Sequence, residues 1–450
     1  MRLADVVVVG AGVAGLAAAR TLVAAGKNVV VVEARDRVGG RLLNAGIPGT
    51  DQIVEVGGQW VGPGQDRVLG LLAELGMSTY PTHDTGTRLA ELGGRTLHYQ
   101  GRVPRLNPLV LADIGQAQAR LDRAARRVPL AAPWRAPGAA RLDGQTFATW
   151  LRRHTYTAAG RAFFRLITEA VWCVDPEEMS ALWAHFYIHS GAGVDSLINT
   201  TGGAQQDRVV GGAQGIAEVM AAELGNRLVL GTPVSRISWN TDSVSVRAGR
   251  RQWRAKHVVV AVPPPLASRI QFEPGLPAER AQLLQRMPMG WTIKVNAVYD
   301  EPFWRADGMS GQANSDRRTL GTVFDGGPPD GSPAVLVGFL EGRHAQVAAR
   351  MDPEKRREAV LDDLAGYFGP RARSPVHYIE QDWAAEDYTR GCYGAFATPM
   401  TLTRFGRWLR TPVGTLHWAG TETATRWAGY IDGAVESGQR AAADILATSS

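Results

Sequence analysis

The chain has 450 residues, 45% hydrophobic and 20% charged, which excludes an intrinsically disordered chain and gives material for two or three cores. Its formal charge of +6 is mild for that length, and no Lys/Arg block tracks phosphates, so nucleic acid is not an expected partner. Two cysteines, Cys173 and Cys392, exclude a disulfide framework and a four-cysteine zinc site and suit a reducing cytosol.

Asp5-Val6-Val7-Val8-Val9 opens the chain as a short β-branched strand buried on both faces. Gly10-Ala11-Gly12-Val13-Ala14-Gly15 follows, then an Ala/Leu-rich helix from Leu16 to Ala25, then a second strand, Asn28–Val32, ending in Glu33. Strand, glycine turn, helix, strand and acid in this order form a dinucleotide-binding unit. Gly10 permits the turn, Gly12 admits a pyrophosphate to the backbone, and Gly15 lets helix and sheet approach. The helix N-terminus offers N–H groups to the phosphates. Glu33 accepts from ribose hydroxyls and repels a 2′-phosphate. After it, Arg35 and the run Gly39-Gly40-Arg41 provide a second backbone approach and a guanidinium for the pyrophosphate.

Further along, a helix is predicted over Ile216–Leu224, strands over Arg227–Leu230, Pro233–Trp239, Val244–Arg247 and Lys256–Val262, and a last helix over Gly433–Leu446. Segment 81–204 reads as helical, with a Pro-rich stretch at 128–137, and segment 286–390 alternates strands and turns. We therefore expect two discontinuous domains: a nucleotide domain from 1–80, 205–285 and 391–450, and a substrate domain from 81–204 and 286–390. The longest uncharged apolar run, Val6–Ala19, is too short for the ~20 residues of a membrane span. The expectation is a soluble, cytoplasmic chain without a membrane partner, and a homodimer is left open. The nine histidines form no ligand pattern, His417 stands alone in a strand, and no metal is expected.

Segments across nearly the whole chain carry a resemblance. They are Gly57-Gly58-Gln59-Trp60-Val61-Gly62-Pro63, Met179-Ser180-Ala181-Leu182-Trp183, Thr200-Thr201-Gly202-Gly203-Ala204-Gln205, and Lys294 ahead of Glu301-Pro302-Phe303-Trp304. Gly391-Cys392-Tyr393, Ala419-Gly420-Thr421-Glu422-Thr423, Trp427-Ala428-Gly429-Tyr430 and Gly433-Ala434-Val435-Glu436 complete them. With the Gly-Gly-Arg extension, the sequence resembles the flavin-containing monoamine oxidases. The resemblance implies an α/β, two-domain FAD-binding fold of the glutathione-reductase (Rossmann-like) type, with a discontinuous α+β substrate domain. It implies oxidation of an amine to an imine, hydrolysed to aldehyde, with O2 reduced to H2O2.

Site residues follow from the same resemblance. Cys392 matches the cysteine that carries FAD covalently through a thioether. Tyr393 and Tyr430 match two roughly parallel tyrosines flanking the amine. Lys294, in an otherwise apolar strand, matches a lysine that holds a water against the flavin and assists reoxidation. Trp383 matches a tryptophan beside the flavin. Val234 would meet the adenine, and Ile431 would aim its N–H at the flavin. Gly420 and Thr421 join the cofactor set, and Arg41 would serve the pyrophosphate. Cys173 reads as a packed thiol next to Trp172.

The substrate pocket is expected from Trp60, Ile167, Ala170, Val171, Ile198, Gln205, Thr322 and Phe339, together with the tyrosines. No carboxylate is evident for a second ammonium and no arginine for a substrate carboxylate, so an apolar primary monoamine is the expected substrate. The alternatives are a diamine, an L-amino acid or a biosynthetic intermediate, or a silent FAD-binding protein.

Overall fold

The structure, a computed structural model, describes residues 2–101, 104 and 106–448. Its first sheet is built largely from valines. Val6–Val9 lies between Val29–Val32 and His257–Val260, with Leu228–Val229 and Leu416–Trp418 outermost, and all four pairings are parallel. Every residue of Val6–Val9 is buried, because helices or other strands cover both faces. That is why the sequence shows an unbroken apolar run instead of alternation. The helix Val13–Ala24 covers one face and packs along the C-terminal helix Ile431–Thr448. The approach is close: a Cβ on Gly438 would stand 3.0 Å from the Ala18 nitrogen.

A second sheet runs Arg2–Leu3, Arg251–Ala255, Val244–Ala248, Arg236–Trp239, Gln271–Glu273. The third has seven strands, in the order His377–Asp382, Thr292–Tyr299, Ala334–Glu341, Thr322–Asp325, Met309–Ser315, Thr87–Leu92, Arg95–Tyr99. The last two come from the segment read as helical. Thr87–Leu92 has a weak apolar pattern and gains its burial by pairing with Met309–Ser315, which local sequence does not reveal. The remainder of that segment is helical: Pro108–Ala125, Ala158–Trp172 and Ala181–Ser190 share one apolar core. Ala181–Ser190 is buried nearly all round and starts at Ser180, whose Oγ accepts from Leu182 N at 3.1 Å and donates to Asp143 at 2.7 Å.

A buried ion pair ties these parts together. Arg208 donates from Nε to Glu55 Oε2 at 3.0 Å, and the other oxygen of Glu55 accepts from Ala213 N at 2.7 Å. Arg208 also reaches the carbonyl of Gly326, beside the seven-stranded sheet. Among the described residues, no helix is long and apolar enough to cross a membrane.

Candidate active site

One continuous cavity of about 780 Å³ borders both the first sheet and the seven-stranded sheet. From the first comes the glycine turn. Gly10, at the end of Val6–Val9, has φ +104°, and a Cβ there would sit 2.9 Å from Ala261 O. Gly12 forms a bridge with Gly39, and a Cβ on Gly40 would lie 3.3 Å from Gly12 Cα. Two turns thus meet as bare backbone on the cavity wall, a cradle that fits a pyrophosphate. Glu33 accepts from Ala11 N at 2.7 Å and Arg35 N at 2.9 Å, and keeps further lone pairs on the same wall. Arg35 and Val234 also face the cavity. Arg35 reaches Thr389 Oγ1 at 2.6 Å, Tyr388 O at 3.1 Å and Glu386 at 3.2 Å.

Arg41 lines the cavity, but its guanidinium is engaged. It donates to both carboxylate oxygens of Glu422, at 2.6 and 3.2 Å, and to Tyr393 O at 2.8 Å. Burial pushes the Glu422 carboxyl up, yet Arg41 more than offsets this and holds it below its ordinary value. A pyrophosphate would share this arginine with Glu422, so Arg41 also holds the 391–395 loop in place.

Cys392, Gly420, Thr421 and Ile431 stand on the wall as expected. Ile431 is the first residue of the last helix. The Cys392–Tyr393 peptide is cis, and burial pushes the Cys392 thiol up to about 12. All the expected substrate-pocket residues line the cavity as well: Trp60, Ile167, Ala170, Val171, Ile198, Gln205, Thr322 and Phe339. Trp60 meets Phe324 at 5.0 Å and Phe339 at 5.8 Å between ring centroids. Tyr393 stands edge-on to Phe339, while Tyr430 packs against Tyr187 and Trp427. Both tyrosines line the cavity, each held by its own aromatic partners, and burial keeps both phenols neutral.

Three expected site residues stand one layer behind the wall. Gly15 packs the helix against the strand. Trp383 donates its Nε1 to Val56 O at 2.8 Å. Lys294 is buried behind Gln59 and Trp60, donates to Gly57 O at 2.8 Å and to Gln59 Oε1, and lies over the rings of Phe339 and Trp60. Burial lowers its ammonium to about 7. Gln59 is a residue that sequence reasoning quoted but gave no role: it is the link from Lys294 to the cavity. Gln59 Nε2, Trp60 Nε1 and Gln205 Oε1 are buried on this wall without a protein partner.

No carboxylate was evident in the sequence for a second ammonium, yet one stands on this wall. Glu341 lines the cavity, fully buried, and accepts from Tyr393 OH at 3.2 Å and Thr322 Oγ1 at 3.1 Å. It was legible in principle: Phe339 and Glu341 are two apart on one strand, so both side chains point to the same face. Cys173 is a packed thiol, fully buried; it ends the helix Ala158–Trp172 in a left-handed conformation and lies against Tyr393 and Thr292. His417 is not alone; parallel pairing of its strand brings its Nε2 to 3.2 Å from His257 Nδ1. Among the described residues, no group of three or more His, Cys, Asp or Glu is placed to hold a metal.

Residues 13–446 match the family model for flavin containing amine oxidoreductase. The chain belongs to this family of flavin-dependent amine oxidases. It is 43% identical over 443 residues to AofH of Mycobacterium tuberculosis, named for flavin-containing monoamine oxidase, covering 98% of this chain and 96% of that one. It is 38% identical to flavin-containing amine oxidase B of Sus scrofa, covering 98% of this chain and 86% of that one. Among solved structures, putrescine oxidase bound to putrescine superposes with a TM-score of 0.95 at 36% identity, and cyclohexylamine oxidase from Brevibacterium oxydans with 0.95 at 35%. Each covers 99% of both chains.

Proposed function

We propose that this amine oxidase converts an apolar primary monoamine to an imine, which water hydrolyses to aldehyde and ammonia, with O2 reduced to H2O2 and FAD carried covalently by Cys392. The observation that supports the reading most is that a single cavity is bordered by the bare-backbone cradle of Gly12 and Gly40 and by the aromatic chamber around Tyr393 and Tyr430. When bound, FAD supplies a two-electron acceptor for the amine Cα–H that O2 can restore. The glycine turns would hold its pyrophosphate, Glu33 its ribose and Val234 its adenine. Ile431 would present its N–H at the start of a helix, where negative charge is favoured. The Cys392 sulfur would carry the thioether.

The protein's own share is orientation and exclusion. Tyr393 and Tyr430 are neutral and rigidly packed, so they can align a slim amine without trapping it as a cation. Trp60, Phe324 and Phe339 make the chamber apolar and keep water out. Two cysteines that form no disulfide fit a reducing, cytoplasmic setting.

A diamine is the second reading. Glu341 favours it by placing a carboxyl in the chamber, and the likeness to putrescine oxidase points the same way. The deciding experiment compares kcat/KM for a phenylalkylamine, a simple alkylamine, putrescine and an L-amino acid in an H2O2-coupled assay. We expect the monoamines to lead. Putrescine ahead by more than tenfold, about 1.4 kcal/mol in the transition state, would replace the monoamine reading with the diamine one.

A further inference from the structure

We propose that Glu341 is the proton acceptor that converts an entering ammonium into the neutral amine: a substrate N–H bond breaks, a Glu341 O–H bond forms, and the proton stays in the cavity on the carboxyl. The inference rests on the chain acting on amines, and on no particular amine.

The geometry carries it. A free alkylamine with an ordinary pKa near 10.4 reaches the protein as a cation, yet oxidation needs the nitrogen lone pair. The chamber is apolar and buried, so an ammonium entering it loses hydration and needs either a counter-charge or a base. Glu341 is the carboxyl on that wall beside Tyr393. Its two oxygens accept from neutral hydroxyls, Tyr393 OH and Thr322 Oγ1, and not from a cation. Once ionised, above about pH 8, this carboxylate lacks a positive partner, and the substrate brings one. After the transfer both charges are gone, which suits a dry chamber better than the ion pair does.

Among the described residues packed against Glu341, none supplies another base. The Tyr393 phenol and the Cys173 thiol face Glu341 from two sides, and burial holds both neutral. Thr292 is its partner on the adjoining strand Thr292–Tyr299. Lys294, two residues on, turns to Gly57 and Gln59. Glu169 and Arg343 lie beyond Gly342, where Glu169 engages Asp175 and Arg165. Burial pushes the Glu341 carboxyl up to about 8, below an alkylammonium but close enough to exchange its proton.

The test counts protons on binding. The holoenzyme is mixed with α,α-dimethylbenzylamine, which has no α C–H and cannot be oxidised, in weak buffer at pH 9 with a pH indicator. In the wild type, the proton leaving the ammonium is kept by Glu341, so close to zero protons are released per ligand bound, and the infrared difference spectrum against Glu341→Gln gains a protonated-carboxyl band; a carboxylate band in its place, the signature of an ion pair, overturns the proposal. Glu341→Gln cannot keep it and should release about one. Release of about one proton by the wild type, or of none by both proteins, overturns the proposal. The wild type alone gives a second check. Its affinity should rise about tenfold per pH unit below pH 8 and level off between 8 and the amine's own pKa; a rise that continues to the amine's pKa overturns the proposal even if the Gln variant does not fold. Failure of the wild type to bind this amine or any other would instead overturn the amine-binding role of the cavity, and the proposal with it.

Discussion

Lys294 donates from Nζ to the carbonyl of Gly57 at 2.8 Å, so a strand of the seven-stranded sheet is tied by a buried amine to the loop that leads into Trp60. The same nitrogen donates to Gln59, which lines the cavity, so Lys294 reaches the cavity wall through Gln59 and not by direct exposure.

Lys294→Met should slow the reaction with oxygen at least tenfold more than the reaction with amine. A positive or hydrogen-bonding group behind Gln59 assists electron transfer to O2, whereas loss of the amine Cα–H depends chiefly on alignment. Gln59→Leu should reproduce part of the effect. Stopped-flow traces of the two half-reactions decide; equal slowing of both would remove Lys294 from this role.

Cys392 should keep the flavin through acid precipitation. The pellet should stay yellow, and intact mass should exceed that of the bare chain by one FAD. Cys392→Ala should lose the mass increase yet still bind FAD, because the cradle of Gly12, Gly40 and Glu33 is untouched. A colourless wild-type pellet with bare-chain mass would mean the thiol, held protonated by burial, is never attached.

Arg208→Ala should cost about 3–5 kcal/mol, because it strands the buried Glu55 carboxylate. Urea unfolding followed by tryptophan fluorescence measures it. A loss below about 1 kcal/mol would show that Glu55 is satisfied without the arginine, by Ala213 N.

Glu341 should also leave a mark on stability against pH. Its carboxyl titrates at about 8 in the folded chain, against an ordinary 4.5. Between those values the folded state holds a proton that the unfolded chain has released. Its contribution is therefore fully present below the lower value and is lost as pH rises through the upper one. Glu341→Gln does not titrate, so its Tm relative to wild type should climb by about 1 °C per pH unit from pH 5 to 8 and then level off. A difference that stays flat across this range would place the Glu341 carboxyl back among ordinary carboxylates.

The residues that could be read without the structure are those whose role is local. Gly10, Gly12, Gly15 and Glu33 act within one strand–turn–helix–strand unit, and the Val-rich strands announce burial on both faces through composition alone. The family motifs extended this to Cys392, Tyr393 and Tyr430, all of which line the cavity. The tertiary structure decided the rest, because each remaining feature depends on pairing between distant segments. Arg41 meets Glu422 across 381 residues, which no spacing rule anticipates. Thr87–Leu92 becomes a strand only because Met309–Ser315 offers it an edge. Glu341 ends a strand on which only Phe339, two residues before it, pointed to the face that meets the cavity. That face is set by register, with Thr292 opposite Glu341 on one side and Thr322 opposite Phe339 on the other, and a slip of one residue would turn Glu341 away from the cavity.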